Sequence, residues 1–253
     1  MANINDVLTT LNEIALKNVI NVYLPSLQRS VKFLPLTTKQ QKEFYSCIKD
    51  NTLYETKFIL LSHDIIVQNC QEDIVDSLTL VDRIVILLSL RKNALGSTVT
   101  TDNGVADFNN CLEYSKTITI PGNETIKTDN LEIEIGIPTI REQYEMEYEL
   151  RGDLTDPGLT LDEAISDVVV NNICLFVKGI KVVKENEVID LQYSTFTFKD
   201  RLTIIENLPS NTLNELQAYL DKFDVIRSGL LHAETGPESV EEVTISADFF
   251  LNK

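Results

Sequence analysis

Only two histidines, His63 and His232, are available among 253 residues. Acyl-transfer triads and His-rich metal centres therefore have little to draw on. His63-Asp64 is a dipeptide that can hold metal for phosphate-ester hydrolysis, but such centres need further histidines and one remains. A helical histidine beside a surface aspartate accounts for it. His232, in LLHAETG, reads as a loop or strand-end residue. The chain has no GxxxxGK[ST] phosphate loop, no GxGxxG and no GxSxG elbow. Asp153, Asp156, Asp162 and Glu163 could hold a hard cation such as Ca²⁺. They lack EF-hand spacing, and a solvated acidic loop feeding a helix N-terminus is the better reading. Arg151-Gly152-Asp153 is a tripeptide expected by chance.

The cysteines lead to the same place. Cys47, Cys70, Cys111 and Cys174 lie far apart, with no CxxC pair. Cys47, Cys70 and Cys174 fall in apolar contexts and read as small buried hydrophobes. Cys111 has no second cysteine three or four residues away, so a zinc ribbon is not expected. These residues point to no catalytic group, no cofactor and no metal, and the cysteine usage suits a reducing cytosol.

Charge and length narrow the classes further. Lys and Arg number 22 and Asp and Glu 39, a formal charge of −17. Phosphate contacts need clustered Lys and Arg, so nucleic acid is not expected as a partner, and anionic membrane surfaces are disfavoured. Basic protein partners are favoured. The N-terminal MANINDVLTTLNEIALKNVI is polar and amphipathic without a signal-peptide h-region, and no apolar run approaches about 18 residues. At 43% apolar residues the chain can build a large core without disulfides or metal.

The elements follow from periodicity and punctuation. Residues 19–36, VINVYLPSLQRSVKFLPL, predict two short strands around Pro25-Ser26, with Val22, Leu24, Val31 and Phe33 alternating. A capping box, from Thr37 to Gln40 or Thr38 to Gln41, opens a helix to about Asp50. Leu53–Cys70 reads as a second helix. Thr79 starts a third, apolar almost all round through Ile84–Leu90 and stopped by Gly96. Period-2 stretches then predict strands at 115–120, 131–137 and 145–150. Arg151–Thr160 is turn-rich. Leu161–Lys178 reads as a helix, with 173–177 open to a strand assignment. A strand-like KVVKENEVIDLQY follows, then helices over Phe198–Glu206 and Pro209–Phe223, and a terminal strand in EEVTISADFFL. The expected fold class is α+β: an N-terminal β-hairpin, a mostly helical body and a β-rich insertion. The expected organisation is 1–96 as hairpin plus helices and 97–160 as the insertion. Residues 161–253 form a helical segment with a C-terminal strand, packed with 1–96 as one body.

Four stretches in order carry a resemblance. They are VYLPSLQRSVKFLPLTTKQQKEF (22–44), with its Tyr-x-Pro-Ser strand; LTLVDRIVILLSLRKNALG (78–96), with Asp82, Arg91 and Gly96; LEIEIGIPTIREQYEMEYEL (131–150); and DRLTIIENLP (200–209). Together they resemble the T4-type phage baseplate family, the hub and hub-assembly proteins of contractile tails. The resemblance implies a non-enzymatic tail protein acting in hub assembly, as a virion component, or both, located in the virion baseplate and in host cytoplasm during assembly. Its partners would be other baseplate and tail hub proteins, and self-association into a homo-oligomer is open. The alternative is a cytosolic binding module or assembly chaperone unrelated to tails; an enzyme with an acidic metal site is the remaining rival. Tyr23, Pro25, Phe33, Phe249 and Phe250 are candidate interface anchors, with a core role equally open for each. Asp82 and Arg91, nine positions apart on one helix, are expected to be structural, each pairing outside its own helix.

Overall fold

A computed structural model describes residues 3–48, 54–101, 104–128, 130–150, 170–184, 187–192, 197–236 and 239–251. The chain is α+β, as the sequence predicts. It forms two compact units, one built from residues 1–119 and 227–253 and the other from 120–226.

The first unit opens with helix α1 (Ile4–Lys17) and the hairpin of β1 (Ile20–Leu24) and β2 (Arg29–Phe33). Alternation puts Val22, Leu24, Val31 and Phe33 on one face, and all four are buried. The turn between the strands closes through Gln28, whose φ of 50° is left-handed, a conformation unusual for a residue with a Cβ. Helix α2 (Thr38–Ile48) begins at the Thr37 capping box: the Thr37 N–H donates to Gln40 Oε1 at 2.9 Å and the Gln40 N–H to Thr37 Oγ1 at 3.2 Å. Gln40 also donates to Asn69 Oδ1 at 2.7 Å, at the end of α3 (Tyr54–Asn69).

Helix α4 (Leu80–Leu95) is the centre of this unit, with Val81, Ile84–Leu88 and Leu90 buried. A helix apolar all round must be surrounded. It stops at Gly96, whose φ of 94° suits a residue without a Cβ. After it come β3 (Thr98–Thr101), β4 (Gly104–Asp107) and α5 (Asn109–Tyr114). At the other end of the chain, β9 (His232–Gly236) and β10 (Ser239–Glu242) complete a sheet of order β10-β9-β4-β3. A 3-10 turn, Asp248–Phe250, closes the unit.

The second unit is a four-stranded antiparallel sheet in the order β5-β6-β7-β8, comprising β5 (Glu124–Thr128), β6 (Leu131–Ile135), β7 (Val177–Lys184) and β8 (Glu187–Gln192). Its helices are α6 (Ile140–Leu150), α7 (helical residues 170–176) and α8 (Phe198–Glu206). Helix α9 (Ser210–Leu231) holds the boundary between the units, at 226/227.

Four expectations need correction. Residues 145–150 are the end of α6, not a strand: Ile140, Gln143 and Met146 recur at helical spacing as its buried face, and the alternating glutamates only mimic period 2. Residues 115–117 form the turn after α5, and 118–120 belong to no strand. Helix α9 runs past Phe223 to Leu231, because Ile226 and Leu230 continue its buried stripe. The C-terminal strand ends at Glu242; Phe249 and Phe250 are adjacent and both buried, which an alternating strand cannot arrange. In addition, β3 and β4 join the sheet of β9 through the pair Asp107↔Glu234, so this hairpin belongs to the first unit rather than with 120–150.

Candidate interaction surface

The first turn of α4 is where the hairpin is fastened. Thr79 is its N-cap, and Asp82 completes the capping box by accepting from the Thr79 N–H at 2.8 Å and the Thr79 hydroxyl at 2.9 Å. The same carboxylate accepts from the Ser26 N–H at 3.1 Å and the Ser26 hydroxyl at 2.5 Å. Asp82 is fully buried, and four donors offset its lost hydration. The Tyr-x-Pro-Ser stretch and the helix aspartate, 56 positions apart, are therefore one structural unit. Ser26 was hidden in the sequence as a turn residue; its place in the quoted strand motif was the available signal.

Arg91 does the same at the other end of α4. Its Nε donates to the Phe249 carbonyl at 2.8 Å, Nη1 to Gly96 O at 2.6 Å and Nη2 to Thr98 O at 2.7 Å. Its guanidinium lies 5.9 Å from the Phe108 ring centroid and 5.4 Å from that of Phe249. Burial lowers its pKa from the usual arginine value. Both charged residues thus pair outside their helix, as expected of structural groups.

Between these anchors, one face of α4 borders an open groove of about 490 Å³. Val85, Ser89, Lys92 and Asn93 line it from α4, Ile20, Asn21 and Tyr23 from β1, and Leu112, Glu113 and Lys116 from α5 and the turn after it. The lining is mixed, with Ile20, Val85 and Leu112 beside Asn21, Ser89 and Asn93, and it carries two ammonium groups, Lys92 and Lys116. Lys116 pairs with Glu113 at 2.7 Å, and that hydrogen bond holds the Glu113 carboxyl below the usual carboxylate range. β1 is an edge of its two-stranded sheet, the kind of strand that can accept a further chain. Such a groove can hold an extended segment bearing acceptor groups.

The candidate anchors separate clearly. Tyr23 is half-buried on the groove. Pro25 and Phe33 are buried under the hairpin. Phe250 stacks on Phe44, centroids 4.1 Å apart and 6° from parallel, and Phe249 packs against Phe108 at 5.5 Å. The two C-terminal phenylalanines are core plugs, both 2% exposed.

The remaining chemistry-bearing residues are dispersed. His63 is buried in α3, its Nδ1 3.6 Å from Asp64. His232 opens β9, with Nδ1 2.9 Å from Ser228 Oγ. Cys47, Cys111 and Cys174 are buried, and burial pushes the thiols of Cys111 and Cys174 up to about 12. Asp153, Asp156, Asp162 and Glu163 lie outside the described residues. Among the described residues no group of three or more His, Cys, Asp or Glu could hold a metal, and no helix is long and apolar enough to cross a membrane.

Neither the curated proteins nor the solved structures contain a significant match to this chain. The profile of one family, described as T4 bacteriophage base plate protein, matches residues 17–250, a span that holds the Ser26–Asp82 fastening, Arg91 with all three of its carbonyl acceptors, and the whole groove. Those residues cover most of the chain, and the protein therefore belongs to the T4 bacteriophage base plate protein family.

Proposed function

We propose that this baseplate protein is a non-enzymatic component of the tail hub, acting in hub assembly and retained as a structural part of the virion. It would be made and assembled in the host cytoplasm. The observation that carries the reading is the groove beside β1. The family's strand motif supplies its half-buried Tyr23, and the same motif's Ser26 is locked to Asp82, so the rim is held by the core. A rigidly mounted aromatic beside an edge strand suits docking of a segment from another hub protein, with Lys92 and Lys116 favouring acidic or acceptor-rich sequence.

Deleting the hairpin would remove four buried core residues and test folding rather than docking. The sharper experiment uses Tyr23→Ala and Lys92→Glu in the full-length protein, followed by size-exclusion with purified hub proteins. Both variants should keep the wild-type melting temperature within a few degrees and lose co-elution. Undiminished co-elution of both would remove the groove from the interface. Mass spectrometry of purified virions should find the chain; its absence there would leave assembly as its only role.

A further inference from the structure

We infer that α1 is a docking helix that inserts its apolar face into a preformed groove on another baseplate or tail protein. Ile4, Val7, Leu11 and Ile14 are 68%, 48%, 55% and 49% exposed. Their spacing of three, four and three residues sets them along one side of a helix. Every residue of α1 whose exposure is described is exposed, so this stripe is not absorbed by the chain's own core. At 100° per residue the charged residues Asp6, Glu13 and Lys17 lie roughly 100–140° round from the centre of this stripe, Leu16 (56% exposed) lies nearly opposite it, and the Thr9 and Thr10 hydroxyls are spent on the helix's own Asn5 and Asp6 carbonyls at 2.9 Å. The family match begins at residue 17, so α1 precedes the matched segment almost entirely.

Length and charge select the occupant. Helix α1 has 14 residues, two heptads. A self-sustaining coiled coil wants about three to four. Two such helices, each about 21 Å long, would bury on the order of 800 Å², below the roughly 1,200 Å² at which stable interfaces begin. A second copy of α1 is therefore too small a partner. Membrane-surface helices carry Lys and Arg on the polar face. Here that face holds Asp6, Glu13 and one lysine, on a chain of net charge −17, and anionic headgroups would repel it. A folded protein with an apolar groove needs only a short helix reading out at i, i+3, i+7 and i+10, and it is the occupant that remains.

The inference rests on the assembly role proposed above, and the test separates the two. Tail assemblies purified from particles made without this chain are mixed with full-length protein and sedimented. Wild type and Glu13→Lys should co-sediment alike. Leu11→Asp, on the exposed stripe, should lose at least tenfold in apparent affinity with an unchanged melting temperature. A loss of less than threefold overturns the role of α1 while leaving the assembly reading intact. Failure of the wild type to sediment removes the assembly reading itself, and this inference with it. Sedimentation equilibrium and flotation with phosphatidylcholine–phosphatidylglycerol vesicles, both on the pure protein, complete the test. A dimer or vesicle binding abolished by Leu11→Asp would assign the stripe to a second copy or to lipid, and overturn the proposal.

Discussion

Helices α4 and α6 start in the same way and are used differently. In the first unit Asp82, three residues after the N-cap Thr79, accepts from Ser26 across 56 positions. In the second unit Glu142 completes a box with Thr139, whose N–H donates to it at 2.6 Å, and also pairs with the Lys178 ammonium on β7. Each acid caps the first turn of its helix and ties that helix to a strand or hairpin. The difference lies in the partner. Ser26 offers neutral donors from a turn, so Asp82 is a solitary charge fed by dipoles. Lys178 brings a second charge, and burial lowers its pKa even though Glu142 pulls it back up. Helix α8 supplies a control: Asp200 makes the same box with Thr197 at an exposed site. One local motif is thus a cap alone, a cap plus hydrogen-bond tether, or a cap plus ion-pair tether.

The largest effect should come from Arg91. Arg91→Met removes a fully buried guanidinium and leaves the carbonyls of Phe249, Gly96 and Thr98 without its three donors, the Phe249 bond being the buried one, and should lower stability by about 3–5 kcal/mol. Chemical denaturation measures it; a loss under about 1 kcal/mol would mean that water replaces the guanidinium.

Asp82→Ala should follow, at about 2–4 kcal/mol, because it strands the Ser26 donors as well as the cap. A double-mutant cycle with Ser26→Ala should show coupling of about 1–2 kcal/mol. Additive effects would separate the hairpin from the helix cap.

Glu142→Gln should cost about 2–3 kcal/mol by leaving the Lys178 ammonium buried beside a neutral amide, and Lys178→Met should recover most of that loss. The pH dependence sharpens the contrast. The native Lys178 pKa lies below the unfolded value of 10.5, so the unfolded chain binds more protons between the two values, and this group's contribution to stability rises with pH across that window.

The buried thiols act in the opposite direction. Cys111 and Cys174 titrate near 12 when folded and near 9 when unfolded, so stability present below pH 9 is lost as pH rises toward 12. The slope is about 1.4 kcal/mol per pH unit for each thiol. Cys111→Ser and Cys174→Ala should flatten the alkaline limb of a denaturation series; an unchanged limb would mean the thiols are reached by water.

The smallest effect belongs to Asp200→Asn, where the hydrogen bonds from Thr197 hold the carboxyl below its usual range at the surface. Its contribution is present above the unfolded pKa of 3.8 and fades as pH falls through the lower native value. Melting curves at pH 7 should barely move. A shift matching that of Glu142→Gln would erase the distinction between cap and tether.

What the sequence disclosed, and what it withheld, tracks locality. The box at Thr37, the helix start at Thr79, the stop at Gly96 and the alternation of Val22, Leu24, Val31 and Phe33 are encoded within a few residues, and all were legible. The α6 turn was misread because glutamates at 145, 147 and 149 satisfy period 2 while Met146 and Gln143 carry the buried face. The groove and the Ser26 and Arg91 acceptors depend on residues up to 158 positions away, and no local pattern announces a backbone carbonyl as a partner. For the aromatics, type alone left core and interface open: Phe249 and Phe250 are sealed in, while Tyr23 stays half-exposed.

The bond from Arg91 to the Phe249 carbonyl sets a clock. The first unit needs residues 227–253, which a ribosome delivers only after the whole second unit has been made. At about 5–20 residues per second, the 158 residues from Arg91 to Phe249 take on the order of ten seconds. During that interval Ser26 and Asp82 can already be joined, but the guanidinium and the pocket for Phe249 and Phe250 stand open to water. A nascent chain in that state exposes aromatic core and a guanidinium still short of its Phe249 acceptor, the form most exposed to capture by chaperones or by premature neighbours. Completion of the first unit is timed by the arrival of residues 227–253, and a baseplate that recruited this protein through its finished first unit would be protected from incorporating it half-made.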